Sequence, residues 1–258
     1  MKDASDILEA QINNHLYKSS NTKPPYKLKP SFSPSQLGHP CLRRLYYSYL
    51  RVESDTEIQA FLARIFSTGK AIGDLLYEWL KATGYVIDYR NKNGKIPISR
   101  FTGKEDPEFP IKEKDLEVKG KIDAVCIIDG KLWLVEFKSM KTEDFKELKN
   151  PLDEHITQGM SYVYVFEKNL VNGDYSHINE LNDFRIVEGI IYVYFNKNNS
   201  FLKKYLVRKN WLLYERIKGK IQTIKQAVRE KRLPEKNTNK CKFCPFEKKC
   251  KRDYKVTI

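Results

Sequence analysis

Apolar positions along the chain change period several times, and each change marks an element. Between Thr68 and Thr83 they fall at Ile72, Leu75, Leu76, Trp79 and Leu80, a helical spacing that predicts an amphipathic helix ending near Gly84. Cys41 to Leu50 predicts a shorter helix, basic and tyrosine-rich, and residues 4 to 17 another. Ser19 to Pro34 is polar with four prolines and reads as a linker, and residues 90 to 115 mix glycine, proline and charge as a loop would. Beyond them come two adjoining strands, a helix from about 151 to 166, a strand at Ile186 to Phe195 and a long basic helix from about 201 to 232. No internal repeat is visible.

The two adjoining strands flank Asp129-Gly130, a dipeptide suited to a two-residue type I′ hairpin turn. Counting outward, residue 128 faces 131, which sets Asp123 opposite Glu136 with side chains about 5 Å apart on one face. Lys138, two positions further, points to the same face. Two carboxylates held together among Ile, Val, Leu and Trp repel, and a hard divalent cation between them removes the conflict. Such an ion, held by Asp123, Glu136 and the backbone carbonyl of Phe137, lowers the pKa of a water and neutralises charge on a phosphate, while Lys138 orients the water. Downstream, Gln158 and Tyr162 share one face of the following helix at i and i+4 and add two hydrogen-bonding groups. Read without the rest, the same acids describe a solvated surface hairpin and Tyr162 a core aromatic.

Composition changes the picture in its distribution. The 258 residues allow one large domain with a small appendage, and 41% hydrophobic residues are enough for a core. Residues 1 to 200 hold 28 Lys+Arg against 28 Asp+Glu, whereas residues 201 to 258 hold 19 against 5, so the whole net charge of +14 belongs to the last segment. That density suits contact with a polyanion. No run approaches the roughly 18 apolar residues of a membrane span, and acids stand where a signal peptide would be apolar, so a cytoplasmic protein without a membrane partner is expected.

Three of five cysteines lie in Cys241-Lys-Phe-Cys244-Pro-Phe-Glu-Lys-Lys-Cys250, Cys126 sits in an apolar run, and Cys41 follows the turn-like Gly38-His39-Pro40. Three clustered thiols point to a metal, and Cys41 is the natural fourth ligand, tying the chain ends together. Zinc and iron–sulfur both suit four thiolates, and spacing does not choose between them.

Taken in order, Asp123, Glu136-x-Lys138 and Gln158-x-x-x-Tyr162, with Cys41 upstream and Cys-x2-Cys-x5-Cys at the end, resemble the RecB-like branch of the PD-(D/E)XK nucleases. The match in size and layout is to CRISPR-associated and viral single-domain exonucleases with a four-cysteine iron–sulfur cluster. The resemblance implies an α/β, restriction-endonuclease-like core, a mixed central sheet flanked by helices, with a helical N-terminal part (1–34), a nuclease domain (35–235) and a C-terminal iron–sulfur segment (236–258). It implies Mg²⁺ or Mn²⁺ at the carboxylates, a [4Fe–4S] cluster with Zn²⁺ as the alternative, and exonucleolytic cleavage of single-stranded DNA. Partners in recombination, replication or CRISPR adaptation, and a homo-oligomer, are further expectations.

One position departs from the pattern. The branch places a metal-binding histidine on the helix before the hairpin, in Gly-x-x-x-His, and this chain has Gly69-Lys-Ala-Ile-Gly73. Asp74 or Glu78 are the substitutes at hand, with His39 and His155 as further candidates. A non-catalytic DNA-binding or assembly module that keeps the fold is the rival reading. A DNA-binding lining is expected from Arg43, Arg44, Tyr46, Tyr47 and Tyr49 beside Cys41, converging with Lys203, Lys204, Arg208 and Lys209 on the C-terminal helix.

Overall fold

In the computed structural model, which describes residues 4–22, 29–99, 103–237, 239, 241 and 244–255, the chain begins with α1 (Ala4–Asn21), α2 (Pro34–Leu37), α3 (Leu42–Tyr49) and α4 (Ala60–Lys81). Then follow β1 (Val86–Ile87), β2 (Phe109–Glu113), β3 (Val118–Ile122), β4 (Ala124–Ile128) and β5 (Lys131–Met140). The remainder is α5 (Thr142–Glu147), α6 (Asp153–Val171), β6 (Gly189–Asn196), β7 (Leu202–Arg208), α7 (Trp211–Arg229) and α8 (Glu247–Lys255). Residues 23–28 of the expected linker lie outside the described residues.

The predicted reversal is present: Asp129 and Gly130 both have positive φ, 50° and 68°, as a type I′ turn requires. β4 and β5 pair antiparallel with Ile128 opposite Lys131 and Ala124 opposite Val135, the register counted from the turn. β5 is the hub of a five-stranded sheet in the order β1-β4-β5-β6-β7, parallel to β6, with the other neighbours antiparallel. Helices cover both faces. Ala124, Cys126 and Val135 meet Tyr77 of α4, while Val125, Leu132, Leu134, Ile190, Tyr192 and Tyr194 join Met160, Val163 and Phe166 of α6 in the main core. This mixed sheet flanked by helices is the α/β, restriction-endonuclease-like architecture expected.

Three segments differ from expectation. The stretch 90 to 115 contains β2, which pairs with β3 in a second, two-stranded sheet; its alternation is confined to FPIKE, too short to stand out beside a proline-rich loop. The expected single strand before the turn is broken at Asp123, where the chain leaves β3 and enters β4, changing sheets. The expected helix 201 to 232 is β7 followed by α7. In β7 Lys203, Tyr205 and Val207 are half-buried while Leu202, Lys204, Leu206 and Arg208 are exposed, an edge-strand alternation that mixed lysine with apolar residues and so imitated a helix. The true helix start is marked by Asn210, whose side chain accepts from the Leu213 amide at 3.1 Å.

Candidate functional site

The break at Asp123 builds the site. At the bend the Asp123 carboxylate turns toward β5, where Oδ2 accepts from the Phe137 amide at 2.7 Å. Glu136, on β5, is buried against α6, and its Oε1 accepts from Lys138 Nζ at 2.7 Å and from Gln158 Nε2 at 2.6 Å. Lys138 Nζ also donates to Gln158 Oε1 at 3.0 Å, and Gln158 Nε2 reaches the Tyr162 hydroxyl at 3.2 Å. The structure therefore brings Asp123, Glu136, Lys138, Gln158 and Tyr162 together as one hydrogen-bonded constellation.

Two glycines permit this packing. A Cβ at Gly159 would collide with the Tyr192 hydroxyl and sit 2.9 Å from Ile190 Cδ1, so its absence lets α6 lie close enough on β6 for Gln158 to reach Glu136. A Cβ at Gly120 would lie 2.8 Å from Pro34 Cδ and 3.2 Å from Tyr162 Cε1, so β3 passes directly beneath Tyr162.

The electrostatics are unbalanced in one direction. Burial, then the Glu136 charge, holds the Asp123 carboxyl well above its ordinary range. Burial also raises Glu136, against the opposing pull of Lys138, and pushes the Tyr162 phenol up. Glu136 Oε2 is buried with no hydrogen-bond partner among the described residues. An orphaned carboxylate oxygen beside a second, half-buried carboxyl is a donor set that a hard divalent cation completes, so Asp123, Glu136 and the neighbouring Phe137 carbonyl fit such an ion. Among the described residues, no three His, Cys, Asp or Glu side chains already converge on a point that could hold a metal ion.

Asp123 and Phe137 open on a cleft of about 720 Å³ whose other wall is α4, through Gly69, Gly73 and Asp74, and the loop through Glu108. Nothing lies within 4 Å of a Cβ built at Gly73, so the place of the missing histidine is open space. Asp74 lines the cleft but pairs with Lys70 at 3.0 Å, and Glu78 lines it from the exposed side of α4. The acid that sequence reading missed is Glu108. Its Oε1 lies 2.6 Å from Lys70 Nζ, and its charge helps raise Asp123, Glu136 and Tyr162. The only signal for it was an acid immediately preceding β2, in a stretch with no visible period.

His155 belongs to the α6 side of the site, its Nδ1 2.8 Å from the Tyr194 hydroxyl, and burial followed by the Lys138 charge lowers its pKa to about 4. His39 lies elsewhere, its Nδ1 accepting from the Cys41 amide at 3.1 Å.

Cys41, Cys241, Cys244 and Cys250 line one small cavity of about 80 Å³, although about 200 residues separate the first from the rest. All are free thiols. Arg43 is buried there, donating from Nε to the Pro234 carbonyl at 2.9 Å, with Nη1 3.8 Å from Cys250 Sγ. Tyr47 is buried with its hydroxyl on Asp253 at 2.7 Å, and Tyr49 donates to Glu117 at 2.8 Å. Tyr46 packs half-buried against the core, and Arg44 borders both this cavity and a larger one of about 750 Å³ beside α2 and α3.

The basic residues expected to converge with this group are on β7, or directly after it in the case of Lys209, and have other partners. Lys203 Nζ donates to the Phe145 and Leu148 carbonyls at 2.5 and 2.9 Å, closing the end of α5. Arg208 pairs with Glu188 at 2.9 Å and lies over the Trp133 ring, Lys209 pairs with Glu167 at 2.9 Å, and Lys204 is exposed on the outer face.

Fold and site together define a nuclease of the restriction-endonuclease-like type. A family model described as the PD-(D/E)XK nuclease superfamily matches residues 23–251, and the chain belongs to that superfamily. Among solved structures it is similar to a protein designated SSO0001, at 16% identity and TM-score 0.45, covering 93% of each chain. It is also similar to an alkaline exonuclease, LHK-Exo, from Laribacter hongkongensis, at 10% identity and TM-score 0.47 over 95% of this chain and 100% of that one. A complex of LHK-Exo with dAMP matches at 11% identity and TM-score 0.45, covering 79% and 90%. No curated protein matches the chain. No described helix is long and apolar enough to cross a membrane.

Proposed function

We propose that the chain is a divalent-metal-dependent deoxyribonuclease that hydrolyses single-stranded DNA from an end. The observation that carries this reading is the buried Glu136 Oε2, without a hydrogen-bond partner among the described residues, together with the raised Asp123 carboxyl, which lines a cleft of about 720 Å³. Asp123, Glu136 and the Phe137 carbonyl would hold an Mg²⁺ or Mn²⁺ ion, which would supply positive charge for a scissile phosphate and acidify water. Lys138, anchored by Glu136 and Gln158, holds a cation and a proton donor at the same point, where it orients the attacking water and steadies charge on the phosphate. Gln158 fixes both Glu136 and Lys138, and Tyr162 fixes Gln158. Glu108 is a third carboxylate of the cleft, held on Lys70 as Asp74 is, and joins Asp74 and Glu78 as a candidate for the place of the missing histidine.

The four cysteines would hold a [4Fe–4S] cluster, with Zn²⁺ as the alternative, joining α3 to the segment from residue 236. The basic C-terminal portion supports DNA as the polyanion, with recombination, replication or CRISPR adaptation as the setting.

The test is cleavage of end-labelled single-stranded oligonucleotides with each end blocked in turn, with and without Mg²⁺ or Mn²⁺. Asp123→Asn and Glu136→Gln should each lower the rate by on the order of 100-fold or more while binding persists. Metal-independent cleavage, or wild-type rates in both variants, would overturn the assignment. A visible absorption band lost on Cys244→Ser supports iron–sulfur; stoichiometric zinc in a colourless protein defeats it.

A further inference from the structure

Among the described residues three charged side chains are buried: Glu113, Glu136 and Arg43. Each carboxylate has an ammonium partner, Lys168 at 2.6 Å from Glu113 and Lys138 at 2.7 Å from Glu136. Arg43 has no such counter-ion. Its Nε donates to the Pro234 carbonyl and its Nη1 lies 3.8 Å from Cys250 Sγ, and no carboxylate stands within ion-pair distance of it among the described residues. A guanidinium cannot shed its proton, so burying one without an anion is costly.

The rest of the cavity has the same bias. The four thiols share it with four basic side chains and one acid, Glu247, which Lys251 already pairs at 2.6 Å. Arg44, half-buried on its wall, also has no carboxylate within ion-pair distance among the described residues. Neutral thiols give two guanidinium groups little, whereas thiolates give them an anion. Four thiolates around a zinc ion or an oxidised iron–sulfur cluster keep a net negative charge.

We propose that Arg43, assisted by Arg44, is the counter-charge of the four-cysteine centre. The Arg43 guanidinium, fixed by the Pro234 carbonyl, donates to the Cys250 thiolate and offsets part of the negative charge that the loaded centre carries. The proposal rests on the reading of these cysteines as holders of a cluster or zinc. Its place in the fold suits the role: Arg43 lies two residues beyond Cys41, and its backbone amide donates to the Glu235 carbonyl at 3.2 Å. One residue thus joins α3 to the segment that brings the other three cysteines.

The test follows release of the bound metal from the full chain to excess chelator, with metal content measured by mass spectrometry. Arg43→Gln keeps a donor for Pro234 and removes the charge, and its release should be roughly 10–100-fold faster than in the wild type. Arg43→Lys keeps the charge and should stay near the wild type; a role limited to the Pro234 hydrogen bond predicts no difference between the two variants. Where the metal is an iron–sulfur cluster, the reduction midpoint should fall in Arg43→Gln and not in Arg43→Lys, because a lost positive charge makes an added electron less welcome. Should Arg43→Gln not fold, Arg44→Gln decides: faster release supports the proposal and wild-type release overturns it. Wild-type release in Arg43→Gln, or equal acceleration in Arg43→Gln and Arg43→Lys, overturns the counter-charge while leaving the metal centre standing. A wild-type chain whose metal content is the same as that of Cys244→Ser defeats the centre itself, and the proposal with it.

Discussion

His155 shows how much one side chain's surroundings decide. The imidazole is held neutral because burial and the Lys138 ammonium both oppose a second proton, and its Nδ1 is engaged by Tyr194. The unfolded chain binds that proton near pH 6.5 and the folded chain only near 4, so stability present above pH 6.5 drains away as the pH falls through that window. The loss is at most about 3 kcal/mol. His155→Gln keeps a hydrogen-bonding group for Tyr194 and cannot titrate. Urea unfolding midpoints measured from pH 7 to 4 should therefore fall less steeply in the variant than in the wild type. Asp123 and Glu136 are raised and act with the opposite sign, gaining stability as they protonate, but they are common to both proteins and cancel in the comparison. Parallel slopes would mean that His155 titrates normally.

At the scale of elements, the site depends on how closely α6 approaches β6. Gly159 follows Gln158 directly, and the collision of any Cβ there with the Tyr192 hydroxyl means that Gly159→Ala must push the helix outward. Overpacking of this kind costs about 1–3 kcal/mol, and chemical denaturation should show a loss in that range. Activity should fall further than the lost stability explains, because the displacement withdraws Gln158 from Glu136 and Lys138. A variant as stable and active as the wild type would show that the helix has slack. The elements also mark the limits of sequence reading. The β4–β5 hairpin was legible because its turn needs positive φ at two adjacent residues, and Asp-Gly is among the few pairs that accept it. β2 and β7 were not, because each is short or edge-exposed and its pattern depends on a partner strand.

For the whole molecule, Cys41 and the three C-terminal cysteines are the long-range tie. A group bridging them would close a loop of about 200 residues, and cross-links of that span contribute roughly 2–4 kcal/mol by restricting the unfolded chain. Cys41→Ser should lower the melting temperature by several degrees, about 2–4 °C per kcal/mol at this size, and open the segment from residue 236 to limited proteolysis. An unchanged melting curve and protease pattern would show that the four thiols share a cavity without being joined.

What the sequence determined by itself was local. The type I′ turn, the hairpin register as far as Ala124 against Val135, and the i, i+4 placement of Gln158 and Tyr162 follow from bond geometry within one hairpin and one helix, whereas the bend that turns Asp123 toward β5 does not. Tertiary structure decided everything that needs two distant segments at once. It placed Glu108 in the same cleft as Asp123, left Glu136 Oε2 without a partner among the described residues, and turned the first part of the basic stretch after residue 201 into an edge strand. Periodicity reports that a residue has an apolar side; which neighbour covers that side is a matter of packing between elements, and no window of sequence contains it.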